Sequence, residues 1–231
     1  MTGARVPVII PVKTLRHAKQ RLAHVLTGEE RRQLVLAMLA DVLDTLSEVK
    51  SVGPTLVVTP DPEVAALARA MSGTVLVEPA AAGLTVAVRR GLADKRVQAA
   101  GQALVLPGDV PLASAGEIAR VAASGARRER QRVALVRSRE GDGTNALLLA
   151  PPDLIEPSFG GSSFVRHLAA AVARRIEAEV LQMPGLASDI DEPCDLDRLI
   201  YERRSSRRYD FLRVRGHRAA SLPATITEDR I

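Results

Sequence analysis

The chain has 231 residues, 46% of them apolar, and a formal net charge of +5, which suits one domain with a large core. No apolar run approaches the roughly 18 residues that a bilayer crossing needs, and residues 1–12 lack a signal-peptide layout. One cysteine, Cys194, excludes an internal disulfide and fits a reducing cytoplasm, and the four histidines share no metal-ligand spacing.

"VPVIIP" (6–11) reads as a buried strand. After a polar stretch, a helix is expected over 28–48, with Thr27 and Glu30 forming a capping box and Leu34, Met38, Val42 and Leu46 keeping the helical period. "TLVVT" (55–59) is a second strand, and Asp61 followed by Pro62 opens a helix to about 71. "TVLVE" (74–78) is a third strand, followed by a helix near 84–95. "ALVLP" (103–107) is a fourth, after which Ser114 and Glu117 cap another helix. "VALVRS" (133–138) and "NALLLA" (145–150) form a further pair, joined through "REGDG" in an arrangement that allows antiparallel pairing. A helix over 163–176, a late strand "EVLQM" (179–183) and a last helix opened by Pro193 complete the pattern. Strands alternating with helices predict a three-layer α/β fold with a mostly parallel central sheet, whose ligands bind beyond the carboxyl ends of the strands.

The charge is unevenly spread. Residues 202–231 carry eight arginines against four acids, leaving about +1 for residues 1–201. The domain is therefore expected to end at 201, with 202–231 a basic, solvated extension. "RRSSRR" (203–208) lacks the interleaved aromatics of a nucleic-acid groove, so no nucleic-acid partner is expected. Lysines are scarce, four against 28 arginines, a bias of GC-rich coding, yet Lys13 and Lys19 fall together just past the first strand.

The strand ends carry the chemistry. "PVKTLRHAKQRLA" matches neither common phosphate-loop motif but presents Lys13, Lys19 and Arg21, cations suited to a polyphosphate. In "LPGDVPL", Gly108 permits a close backbone approach and presents Asp109, which could equally serve as a turn cap. "SDIDEP" (188–193) sets Asp189 and Asp191 on one side of an extended segment and Ile190 on the other. Asp191 could cap the helix at Pro193, but two carboxylates on one side call for a cation. With Asp109 they make a hard-oxygen set of the kind Mg²⁺ prefers beside a nucleotide. Thr144, with the glycine- and serine-rich "FGGSSF" (159–164), offers hydroxyls, backbone N–H groups and a helix N-terminus for a second anion. No Ser–His–Asp or Cys–His arrangement is evident, so no covalent enzyme intermediate is expected.

"IPVKTLRHAKQRLA", "LPGDVPL", "DGTNALLLAPP", "FGGSSFVRH" and "DIDEPCDL" occur in the order seen in the phosphoenolpyruvate and 2-phospho-L-lactate guanylyltransferases of coenzyme F420 biosynthesis, which the chain resembles over about residues 6–200. The resemblance implies a nucleotide-diphospho-sugar transferase-like (Rossmann-like) fold and, in the cytoplasm, transfer of GMP from GTP to a small phosphorylated three-carbon acid. It implies Mg²⁺ on Asp109, Asp189 and Asp191, the acid at Thr144, Gly160 and Ser163, and the nucleotide phosphates at Lys13, Lys19, Arg21 and Gly108. Lys13, Lys19 and Asp109 are then the catalytic residues. Thr85 stands where family members often carry asparagine. The GC-rich composition favours phosphoenolpyruvate over phospholactate. The rivals are another sugar or cofactor nucleotidyltransferase of this fold, a glycosyltransferase whose D-x-D motif "DID" imitates, and an arginine-tailed nucleic-acid-binding module.

Overall fold

The computed structural model describes residues 5–78, 83–124 and 131–213. Its seven-stranded sheet has the order β3-β2-β1-β4-β6-β5-β7, with β1 (Val6–Pro11), β2 (Val52–Thr59), β3 (Thr74–Val77), β4 (Ala103–Val105), β5 (Arg132–Arg137), β6 (Thr144–Ala150) and β7 (Glu179–Val180). β6 runs antiparallel to both β4 and β5, and every other pairing is parallel. The pair β5/β6 is thus antiparallel, and β6 is inserted between its partner and the parallel half.

The helices form where local chemistry starts them. α1 (Gly28–Glu48) begins at Thr27, whose hydroxyl accepts from the Glu30 N–H while the Glu30 carboxylate takes the Thr27 N–H. α2 (Pro62–Ala70) begins at Asp61, and α5 (Ala115–Ala123) at the Ser114–Glu117 box. The helix expected over 84–95 is two, α3 (Leu84–Leu92) and α4 (Lys95–Ala100), because Asp94 caps a new start by accepting the Arg96 N–H. α6 (Ser163–Ala173) and α7 (Pro193–Glu202) follow, and α8 (Asp210–Arg213) is a single turn. The late strand is shorter than 179–183, although the Leu181 N–H still donates to the Leu135 carbonyl.

Strand alternation divides the core into two layers. Val6, Val8 and Ile10 of β1 pack with Leu34, Met38 and Val42 of α1, Ile118 of α5 and Leu199 of α7, while Ile9 faces Val88 of α3, Val97 of α4 and Phe164 of α6. α3 lies so close to β1 that a Cβ on Gly91 would fall 2.5 Å from Ile9 Cγ2. This is the three-layer α/β arrangement expected from the element pattern.

The packed fold continues past residue 201. Tyr209 is fully buried, and its hydroxyl donates to Asp41 of α1 at 2.8 Å, beside an Arg208–Asp41 ion pair of 2.5 Å. Leu212 is also buried. A solvated start to the extension was expected from its arginines; the buried Tyr209 and Leu212 instead anchor residues 207–213, and residues 214–231 lie outside the described part.

Candidate active site

The carboxyl ends of β1 and β4 open into a cleft of about 460 Å³ lined by Lys13, Lys19, Arg21, Gly108, Asp109 and Asp191, among others. The loop after β1 is fixed from several sides. The Leu15 N–H donates to Asp61 (2.9 Å), Arg31 of α1 donates to the carbonyls of Ala18 and Leu26, and Leu15 and Leu22 are buried. This scaffold holds Lys19 in the left-handed region, φ 48°. Such a backbone costs a non-glycine residue on the order of 1–3 kcal/mol and is typically retained at functional positions.

Lys19 is a cation for one of the paired aspartates, Asp191, and for Asp109. Its ammonium donates to Asp109 Oδ2 at 2.5 Å and to Asp191 Oδ1 at 2.7 Å, with only 7% of its side chain exposed. Burial works against the charge, but the two carboxylates outweigh it and hold the ammonium above the ordinary lysine range. Ile190 is buried in the core, and its N–H donates to the Asp109 carbonyl at 3.2 Å, so Asp109 and the Asp189–Asp191 segment are tied by backbone. Asp195 of α7 orients that segment from behind: its Oδ2 accepts the N–H groups of Asp191 (3.0 Å) and Glu192 (2.9 Å), while Oδ1 pairs with Arg139. Asp191 therefore does not cap α7; it is free for Lys19.

Asp189 is held apart by Asn145 Nδ2 at 3.0 Å. Burial raises its carboxyl pKa, the Asn145 bond lowers it, and repulsion from Asp109 and Asp191 adds to the rise. Among the described residues, no three acid, histidine or cysteine side chains are grouped as an ion would require. The donor types would nevertheless suit a hard divalent cation: two carboxylate oxygens already converge on one positive group, and the charge of Asp189 is disfavoured first by burial and then by Asp109 and Asp191. Gly108 has no unusual backbone; its place is set by packing, since a Cβ there would meet Val12 at 3.3 Å and Leu39 at 3.4 Å. Arg21 stands at the rim, beside Glu140 (3.6 Å) and Glu192 (3.8 Å), away from the Lys19 contacts.

A second cluster gathers Thr144, Ser163 and Gly160. Gly160 takes φ +111°, its carbonyl accepts the Ser163 N–H, and Ser163 Oγ lies 3.3 Å from Thr144 Oγ1. Ser162, at the N-cap position of α6, makes no capping bond with its side chain. His167 has no metal-ligand spacing in the sequence, yet it is fully buried here. The Ser158 N–H donates to its Nε2 (2.9 Å), which places the neutral ring's proton on Nδ1, facing Thr144 Oγ1 at 3.0 Å. Burial, assisted by Arg166, pushes its pKa down to about 4, so it stays neutral near pH 7. Thr144 thus accepts from His167 and from Ser163, and its own proton is left for a ligand. Thr85 links the two sides of the site, its Oγ1 accepting the Phe159 N–H at 3.1 Å.

Similar proteins place the chain in two steps, by fold and then by family. The fold is that of the nucleotide-diphospho-sugar transferase class. A Methanothermobacter nucleotidyl transferase superposes with a TM-score of 0.61 at 20% identity, over 92% of this chain and 100% of its own. The 4-diphosphocytidyl-2C-methyl-D-erythritol synthase of Anaerococcus prevotii gives 0.56 at 14% identity, over 84% and 95%. Residues 6–221 match the family described as "Guanylyl transferase CofC like", and the chain belongs to that family. Curated relatives named phosphoenolpyruvate guanylyltransferase include one from Sphaerobacter thermophilus, 40% identical over 83% of this chain and 90% of the relative. Another, from Conexibacter woesei, is 39% identical over 90% and 92%. No helix among the described residues is long and apolar enough to cross a membrane.

Proposed function

We propose that the chain transfers GMP from GTP to the phosphate of phosphoenolpyruvate in coenzyme F420 biosynthesis. A phosphate oxygen of the acid attacks the α-phosphorus of GTP, the bond to the α–β bridging oxygen breaks, and pyrophosphate leaves. The observation that carries this reading is the buried Lys19 ammonium between Asp109 and Asp191 in a cleft at the sheet's carboxyl edge. The relatives' names supply the substrates.

A phosphate monoester has its second pKa near 6 and is mostly dianionic at neutral pH, so the nucleophile needs no general base. What it needs is alignment with a second anion and relief of their repulsion. Lys13 and Lys19 are the cations for the triphosphate. Asp109 and Asp191, with Asp189 alongside, would hold Mg²⁺. When bound, the ion neutralises charge on the reacting phosphates and supports the departing pyrophosphate. Thr144 and Ser163, with the Gly160 turn beside them, orient the acid, and neutral His167 keeps the Thr144 hydroxyl turned toward it.

The test is pyrophosphate release from GTP with phosphoenolpyruvate, with 2-phospho-L-lactate, and with no acceptor. Release dependent on phosphoenolpyruvate and on Mg²⁺ is expected, and the same rate without any acid would overturn the proposal.

A further inference from the structure

A second, smaller cavity of about 230 Å³ lies at the carboxyl ends of β1, β2 and β3 and shares Pro11, Val12, Lys13 and Leu84 with the cleft. Its walls are largely apolar: Pro11, Val12, Pro60, Leu84 and Ala87. One acid lines it. Glu78, the residue after β3, continues the ladder by donating its N–H to the Thr59 carbonyl at 3.0 Å, and it is 7% exposed.

Among the described residues, no hydrogen bond reaches the Glu78 carboxylate. Arg90 acts on it only as a nearby charge and does not offset the rise in pKa that burial imposes. A carboxylate with so little water favours donors; among the described lining residues the Lys13 ammonium and the Gly83 N–H are donors, and neither is hydrogen-bonded to it. The carboxylate is thus open to a ligand's donors.

We infer that Glu78 reads the guanine base of the nucleotide by accepting N1–H and the 2-amino group together. The inference rests on the GTP-dependent reading of the neighbouring cleft and adds its base specificity. An ionised carboxylate has only acceptors, so it favours an edge with two adjacent donors. Guanine has that edge. Adenine and cytosine each place a ring nitrogen lone pair beside the amino group, uracil flanks its single N–H with carbonyls, and hypoxanthine keeps N1–H but lacks the amine. The small, largely apolar cavity suits a base, and its shared wall at Lys13 sets the phosphates toward Lys19 and Asp109.

The experiment compares GTP, ITP and XTP, with phosphoenolpyruvate as acceptor, in the wild type and in Glu78→Gln. Glutamine's amide can still accept N1–H but donates where the 2-amino group stood, matching the 2-carbonyl of xanthine. The wild type should prefer GTP over ITP by roughly 10- to 100-fold in kcat/KM. In Glu78→Gln, GTP should fall by a similar factor and XTP should rise to match or pass it. A folded variant with an unchanged GTP-to-XTP ratio would overturn the inference. Calorimetric binding of GDP and IDP to the wild type tests the bond to the 2-amino group without turnover or substitution. Equal affinities would overturn the role of Glu78 even in an active guanylyltransferase. A GDP preference without pyrophosphate release would leave that role standing and remove the proposed reaction.

Discussion

At Lys19, three formal charges meet over contacts of 2.5 and 2.7 Å, whereas around Thr144 the contacts join two hydroxyls, a neutral imidazole and a backbone N–H. The two clusters are neighbours, because Thr144 is followed by Asn145, which holds Asp189. Their electrostatic logic differs. The charged cluster carries its own cation, and substrate phosphates and Mg²⁺ must rearrange that charge as they arrive. The neutral cluster has its hydroxyl directions fixed by groups that do not titrate near pH 7. One side is built to exchange charge and the other to hold shape.

The strongest way to break this contrast is Asp109→Asn. It preserves shape but removes one of the two anions that meet Lys19, and we expect kcat to fall by about 100-fold or more with little loss of stability. Near-normal turnover in a folded variant would remove Asp109 from the charge-handling group. Lys19→Met sharpens the same point from the other partner. It leaves Asp109 and Asp191 uncompensated, which should cost about 2 kcal/mol once their partial exposure is allowed for. Millimolar Mg²⁺ without nucleotide should then raise the melting temperature of the variant more than that of the wild type. An equal response would show that Lys19 and the divalent cation do not share a position.

His167 tests the neutral side. His167→Asn should raise the KM for phosphoenolpyruvate by roughly 10-fold while leaving kcat within about 3-fold, the signature of lost uniform binding. Its pKa adds a pH arm. The folded value of about 4 lies below the ordinary 6.5, so the unfolded chain binds more protons between those values, and stability falls as pH drops through that window. Between pH 7 and pH 5 the wild type should lose about 2 kcal/mol from this group. Denaturation curves at the two pH values should show this loss reduced in the variant. An undiminished pH slope would mean that other groups cause it.

How far these features can be read from sequence follows their range along the chain. The caps at Thr27, Asp61 and Ser114 are set within three residues, and each starts its helix as read. The alternation of Asp189, Ile190 and Asp191 is equally local, and Ile190 does face the core. The insertion of β6 between β4 and β5 is not legible, because apolar runs show that strands form but not which strands pair. Lys19 and the aspartates were each singled out, but their contacts span 90 and 172 residues, so spacing could not show that the lysine is the cation between them. Glu78 reads locally as a strand-end acid and gains meaning only when Pro11, Pro60 and Leu84 close around it.

The smallest effect belongs to a region outside both clusters. The arginines past residue 201 pointed to solvent, yet Tyr209 crosses 168 residues of sequence to donate to the buried Asp41 of α1. Asp41 also meets Arg208 at 2.5 Å and Arg203 at 3.5 Å, so its charge stays compensated when the phenol is lost. Tyr209→Phe removes one donor and keeps the buried ring. It should therefore cost about 1–2 kcal/mol of stability, read as a shift in the denaturation midpoint, with kcat and KM unchanged. A change in GTP or acid kinetics in that variant would couple this C-terminal segment to the site and end the separation between a scaffold held at Asp41 and a cleft that works by moving charge.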